Sequence, residues 1–275
     1  MGSDIHRGGT RDRAADEARG DMLSSAQRDE FDRRGILRLP GTILPAEVTA
    51  MRQRVWQHLA DTDAIHPDRP ETWPVHPPAQ FQKLTSTGAF DAMATGQLTA
   101  VIDGLLGAGR WQRPAHWGRP LVTFPRPGTA WDVPTSDWHL DTQDLELTMV
   151  VVFAHLTPVR PRGGGTLVVT GSHQLTTPSG PQAANAPVRS REVKAYLRTL
   201  HPWLRDLWQG DGDTGRIHRY LTEGADIGGV HVQVEELTGE PGDAVIMHPR
   251  MLHVVAPNSL DTPRLMLLQF LHRRP

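Results

Sequence analysis

The chain has 275 residues, 38% of them hydrophobic and 22% charged, enough apolar material for one good core and too much for a wholly disordered chain. Its 29 basic and 31 acidic residues leave a net charge of −2, so no basic field recruits nucleic acid or an anionic membrane surface. Absence of Cys removes disulfides, thiolate metal sites and a Cys nucleophile together; 26 Gly and 23 Pro imply many turns and argue against a helix bundle, and 14 His mark where metal or acid–base chemistry is to be sought.

Residues 1–20 are charged, Gly-containing and nearly free of large apolar side chains, as expected of a disordered tail. They lack the apolar stretch of a signal peptide, and nothing in the chain approaches eighteen consecutive apolar residues, so a cytoplasmic protein without a membrane partner is expected. Ser24-Ser25-Ala26-Gln27 resembles a capping box and opens a short helix that runs to Arg34, with Gly35 as its stop. Ile36 to Leu39 reads as a strand. Pro45 starts a second helix that places Val48, Met51, Val55 and Leu59 on one face. Five prolines between Ile65 and Pro78 make that stretch a loop, and a further helical pattern covers Phe90 to Leu106. Beyond Gly109 the texture changes to short β-type runs at Leu121–Phe124, Trp138–Asp141, Leu145–Leu156, Thr166–Thr170, Ala244–Met247, Met251–Val255 and Leu265–Leu271. Turn residues separate them, the signature of a sandwich or closed barrel. Gln174 to Val230 reads as an insertion with a helix broken at Pro202, a usual place for a lid or substrate-selecting element. One domain over 21–275 follows, with the insertion at about 174–230.

Trp138-His139-Leu140-Asp141 sets an imidazole and a carboxylate two residues apart, on the same face of a strand. Chance alone gives about one such His-x-Asp in a chain of this composition; the second, His66-Pro67-Asp68, lies in the Pro-rich loop and is read as the accidental one. A third ligand is offered by His253, whose apolar neighbours imply burial; a satisfied core histidine is the plain alternative. Two His and one carboxylate form the facial triad that leaves open positions on Fe(II). Arg264 begins the last apolar strand, where an unpaired cation is costly. It calls either for a salt bridge to a local Asp such as Asp261 or for the carboxylate of a ligand.

Trp138-His139-Leu140-Asp141, Gly163-Gly164-Gly165-Thr166-Leu167-Val168-Val169-Thr170-Gly171-Ser172-His173, Pro241-Gly242-Asp243, His253, Pro257-Asn258 and Arg264 together resemble the phytanoyl-CoA dioxygenase family of Fe(II)/2-oxoglutarate oxygenases, from about Ser24 to Arg273. The resemblance implies a mainly β fold, a double-stranded β-helix or cupin-like jelly roll, with flanking N-terminal helices and a helical insertion. It implies iron on His139, Asp141 and His253, and Arg264 on the distal carboxylate of 2-oxoglutarate. Lys83 stands where some members add a lysine, and His173 belongs to a structural segment. Two positions depart from some members: Leu140 replaces Gln, and Val255 replaces a hydroxyl residue, which shifts cosubstrate anchoring toward Arg264 with Lys83 or Thr148. Asp141 argues against halogenation. The implied reaction consumes O2 and 2-oxoglutarate, releases succinate and CO2, and hydroxylates a C–H bond of a small or medium organic substrate. Trp117, Phe124, Trp131 and the segment Tyr196 to Trp208 are candidates to line or cover the pocket. Two rivals share the scaffold: a jelly-roll metalloprotein without 2-oxoglutarate, and a catalytically silent binding protein.

Overall fold

Ser24 opens the first helix, α1 (Ser25–Arg34), through a reciprocal cap: its hydroxyl accepts the Gln27 N–H at 3.2 Å while its own N–H donates to Gln27 Oε1 at 3.0 Å. Such caps contribute about 1 kcal/mol. The computed structural model describes residues 23–274 except 77, 79, 127, 129, 176–189 and 210–214; the tail at 1–20 and the polar part of the insertion lie outside the described residues. Gly35 ends α1 with φ 76° and leads directly into β1 (Ile36–Leu39). In α2 (Pro45–Asp63) the four residues spaced for one face, Val48, Met51, Val55 and Leu59, are the buried ones. A short helix, α3 (Gln82–Thr85), follows. The helix expected from Phe90 begins later, as α4 (Gly96–Leu106), because Asp91–Met93 forms a 3-10 turn and the Thr95 hydroxyl caps the helix by accepting the Leu98 N–H.

The remaining strands are β2 (Arg119–Thr123), β3 (Met149–His155), β4 (Thr166–Thr170), β5 (Ala225–Ile227), β6 (Val230–Glu236), β7 (Ala244–Met247), β8 (His253–Val255) and β9 (Arg264–His272). They form two antiparallel sheets, ordered β1-β7-β3-β9-β2 and β5-β6-β4-β8. This is the jelly roll, mainly β and flanked by helices. Every residue of β3 is buried, because its alternate residues serve two cores. Met149, Val151 and Phe153 point between the sheets with Met247, Met266 and Leu268. Val150, Val152 and Ala154 pack on the other face, against α2 and α4.

The smaller sheet is covered in the same way on its outer side. Leu167, Val169, Val232 and Val234 pack against Val193 and Leu197 of α6 (Ser190–Leu200) and Trp203, Leu204 and Leu207 of α7 (Pro202–Leu207). The break at Pro202 is real: the His201 ring nitrogen caps α7 by accepting the Trp203 N–H at 3.2 Å. One strand expectation is corrected. Trp138–Asp141 makes only an isolated bridge instead of a strand, since His139 alone pairs in register with β8 while Asp141 bonds to the turn before it. Near the end of the expected insertion, the three residues of β5 pair with β6 in a hairpin. The signal for β6 was present in Val230-x-Val232-x-Val234, whose burial alternates along the strand.

Gly35 explains the junction of α1, β1 and the small helix α5 (Ser172–Leu175). A Cβ there would lie 2.4 Å from Met251 Sδ and 2.6 Å from His173 Nδ1. Gly41 has a similar φ of 59° with nothing within 4 Å. The left-handed conformation alone costs an L-residue about 1–2 kcal/mol, so Gly41→Ala is expected to lose about that much and Gly35→Ala clearly more. Urea unfolding of the two variants checks this; equal losses would show that the contacts around Gly35 yield freely.

Candidate metal centre

His139 and His253 are held side by side by backbone. Each donates its N–H to the other's carbonyl at 3.0 Å, a closed two-bond bridge, and their rings lie 4.1 Å apart between centroids. Asp141 is fixed through its own N–H, which donates to Pro249 O at 2.9 Å. Next to His139 the buried Trp138 anchors the segment by donating its indole N–H to Pro134 O at 2.7 Å. The ligand atoms of His139, Asp141 and His253 all lie within 4.8 Å of one another.

The hydrogen bonds also set the tautomers. His139 Nδ1 meets Asp137 O at 2.8 Å and His253 Nδ1 meets Met251 O at 2.9 Å. A carbonyl only accepts, so each Nδ1 carries the proton and each Nε2 presents a bare lone pair. Asp137 reaches this position with φ 63°, an unusual conformation for a residue other than Gly. His253 Nε2 then faces Asp141 Oδ2 at 3.5 Å, too long for a good hydrogen bond, and Oδ2 is buried with no hydrogen-bond partner. Burial, reinforced by His139, depresses the His253 pKa to about 4. Burial raises that of Asp141, while His139 and Arg119 pull it back. Two acceptors facing each other without a proton fit a cation between them, and a two-nitrogen, one-oxygen donor set fits a divalent transition metal.

Beside the triad is a cavity of about 170 Å³ whose walls include Leu121, Phe153, Thr166, Val255, Leu268 and Phe270. Arg264 shares the inward face of β9 with Leu268 and Phe270 by its spacing. It is buried, with Nε donating to Thr123 Oγ1 at 3.2 Å, Nη2 to the same hydroxyl, and Nη1 contacting Met266 Sδ at 3.0 Å. Among the described residues no carboxylate forms a salt bridge with it, and Asp261 is exposed. The nearest opposing charge, Glu236, has its oxygens occupied by the N–H groups of Arg162 at 2.6 Å and Gly165 at 2.9 Å. Burial lowers the Arg264 pKa to about 10, against the pull of Glu236.

Other expected residues lie elsewhere. Lys83 is exposed on α3 and is not part of the cavity wall. Thr148 donates to Asp144 Oδ2 at 2.8 Å. Trp117 and Phe124 belong to the core under the helices, and Trp131, Trp203 and Leu207 to the core outside the smaller sheet. His173 contacts Asp32 O through Nε2 at 3.0 Å and stands outside the triad, as do His66 and Asp68. Leu140 points away into the outer core, whereas Val255 faces the cavity opposite Thr166. Sequence reasoning missed Thr166, Arg119 and the turn His248–Met251, whose carbonyls at 249 and 251 orient Asp141 and His253. The Thr166 position was legible from strand alternation, but its pairing with Val255 depends on register across two distant strands.

The chain matches the family model described as phytanoyl-CoA dioxygenase (PhyH) over residues 31–266. No curated protein matches the sequence significantly. The fold is similar to AviO1 from Streptomyces viridochromogenes Tue57, with TM-score 0.55, 15% identity and coverage of 92% of this chain and 96% of that one. It is also similar to the non-heme alpha-ketoglutarate-dependent epimerase SnoN from nogalamycin biosynthesis (TM-score 0.50, 17% identity, coverage 91% and 82%). EctD from S. alaskensis gives TM-score 0.51 and 17% identity, with coverage of 91% and 77%.

Burial holds four histidines toward the neutral form: His155, His173, His253, and His248, whose pKa falls to about 3. The unfolded chain therefore binds more protons below pH 6.5, and stability must fall as pH drops from there toward 4. His248 and His253 contribute about 2 kcal/mol each between pH 7 and 5, opposed by the raised pKa values of Asp141 and Glu236. Urea midpoints of the metal-free protein at these two pH values check the sign; an unchanged midpoint would contradict it.

Proposed function

The chain belongs to the phytanoyl-CoA dioxygenase family and is a non-haem Fe(II)/2-oxoglutarate-dependent enzyme; from that premise we propose that it hydroxylates a C–H bond of a small or medium organic molecule, with iron on His139, Asp141 and His253. The observation that carries the metal assignment is that His253 Nε2 and Asp141 Oδ2 face each other at 3.5 Å, with the buried Oδ2 lacking a hydrogen-bond partner. Iron held there would let O2 act as the oxidant, with 2-oxoglutarate giving two of the four electrons as it loses CO2: one oxygen atom of O2 would end in succinate and the other in the hydroxylated substrate.

The chain's own residues have distinct tasks. His139 and His253 offer lone pairs from rings locked through Nδ1, and Asp141 offers a negative oxygen that no protein donor satisfies. Arg264 grips the distal carboxylate of 2-oxoglutarate, replacing the ion pair it otherwise lacks. Thr166 adds a hydroxyl on the cavity wall, in register with Val255, the position where some family members carry the hydroxyl. Leu121, Phe153, Leu268 and Phe270 keep the space beside the metal apolar and exclude water. No helix among the described residues is long and apolar enough to cross a membrane, and a cavity of about 170 Å³ suits a small molecule. The buried Arg264 disfavours both rivals, since a metal site without a dicarboxylate, or a silent scaffold, gives no reason to retain so costly a cation.

Anaerobic addition of Fe(II) and 2-oxoglutarate is expected to give a visible charge-transfer band, and substrate with air to give succinate. Asp141→Ala is expected to weaken iron binding about a hundredfold or more, beyond what loss of an outer-sphere partner causes. Arg264→Ala should leave iron binding intact and raise the 2-oxoglutarate Kd about 30-fold or more, the usual consequence of truncating a buried charge pair. Equal loss of iron in both variants would show that Arg264 serves the metal site and not the cosubstrate.

A further inference from the structure

Arg119 stands on the cavity wall beside the triad. It begins β2 at the edge of the five-stranded sheet, in register with Leu268 of β9, and lines the cavity together with Leu121, Val255, Leu268, Phe270 and the triad. It shares this wall with Asp141, yet among the described residues it makes no salt bridge or hydrogen bond. The residue is exposed, so it sits at the mouth, whereas the buried Arg264 lies toward the interior.

A solvated rim cation is the plain reading of such a residue. Its surroundings argue otherwise. Apart from the two imidazoles, Asp141 and Arg119 are the ionisable side chains of this wall, and Asp141 is committed to the metal. With Asp141 turned to the metal, a guanidinium beside the apolar Leu121, Val255, Leu268 and Phe270 presents positive charge to whatever enters. Its planar fork matches a carboxylate in two parallel hydrogen bonds. We propose that Arg119 receives a carboxylate of the organic substrate at the open side of the triad, so that the substrate is an acid whose apolar body rests on Val255, Leu268 and Phe270. Holding one end at the rim fixes which C–H bond faces the metal, which makes Arg119 a specificity-determining residue. This rests on the metal site proposed above. The 1-carboxylate of 2-oxoglutarate has the same chemistry and is the other source of an anion.

The test uses full-length protein loaded with Ni(II) and 2-oxoglutarate, titrated calorimetrically with octanoate and with the uncharged octanamide. Octanoate is expected to bind at least tenfold more tightly than octanamide. Arg119→Gln should bring octanoate down to the octanamide level and Arg119→Lys should recover part of the difference, both with unchanged thermal midpoints and unchanged 2-oxoglutarate affinity. If Arg119→Gln instead weakens 2-oxoglutarate tenfold and leaves octanoate alone, the substrate assignment is overturned and the carboxylate is the cosubstrate's. If wild type does not distinguish octanoate from octanamide, or Arg119→Gln changes neither ligand, the proposal fails altogether. Failure of the metal reading shows separately, as wild-type protein that takes up neither Ni(II) nor 2-oxoglutarate; octanoate titrated into metal-free protein then still reads Arg119.

Discussion

The reciprocal backbone bridge between His139 and His253 is the constraint on which the rest depends. Two N–H···O=C bonds of 3.0 Å fix the spacing of the imidazoles before any side-chain contact is considered. The segment that carries His139 and Asp141 has no ladder of its own and is held by this bridge, by the Asp141 N–H bond to Pro249 O and by the buried Trp138. Ligands mounted in this way on β8 and on the turn before it inherit the rigidity of the sheet. That is the condition a metal site needs if its geometry is to be set by the protein and not by the ion.

Around that bridge the fold separates polarity from bulk. Apolar side chains of β2, β3 and β9 fill the space between the sheets, and the helices cover the outer faces, so the mouth beside β8 remains available for a ligand. The two arginines differ in burial accordingly. Arg264 is buried, bonded among the described residues to Thr123 and Met266, and a carboxylate supplied from outside would offset the cost of burying its charge. Arg119, at the rim, loses little hydration and is free to select among entering molecules. Glu236 links the first of these to the Gly-rich segment: it accepts the Gly165 N–H, and a Cβ on Gly165 would come within 2.7 Å of its Cγ. That approach gives the glycine a packing reason and needs no phosphate.

Much of this was legible in the sequence because it is local. The Ser24 cap, the one-sided face of α2, the Pro202 break and the two-residue spacing of His139 and Asp141 each follow from neighbouring residues. Legibility failed where distant segments decide the outcome. Trp138–Asp141 has strand-like composition but finds one bridging partner, so composition overstated its regularity. Leu140 and Val255 were correctly seen as departures from a pattern, yet the hydroxyl opposite Val255, Thr166, becomes apparent only once β4 is placed against β8. Lys83 has its expected place along the chain and is nonetheless exposed on α3, since sequence order does not fix which way a short helix turns its side chains. Arg119 gave no local signal at all; its role is proposed from the cavity that β2 and β9 jointly enclose.

The central claim is that two imidazoles and one carboxylate of this chain hold iron. X-ray absorption of the anaerobic Fe(II)-loaded protein tests it most directly, because coordinated imidazole gives a characteristic outer-sphere scattering pattern. The account predicts a shell of nitrogen and oxygen ligands containing two imidazoles, reduced to one in a His253→Ala variant. A shell with no imidazole scattering, or one unaltered by that substitution, would contradict it.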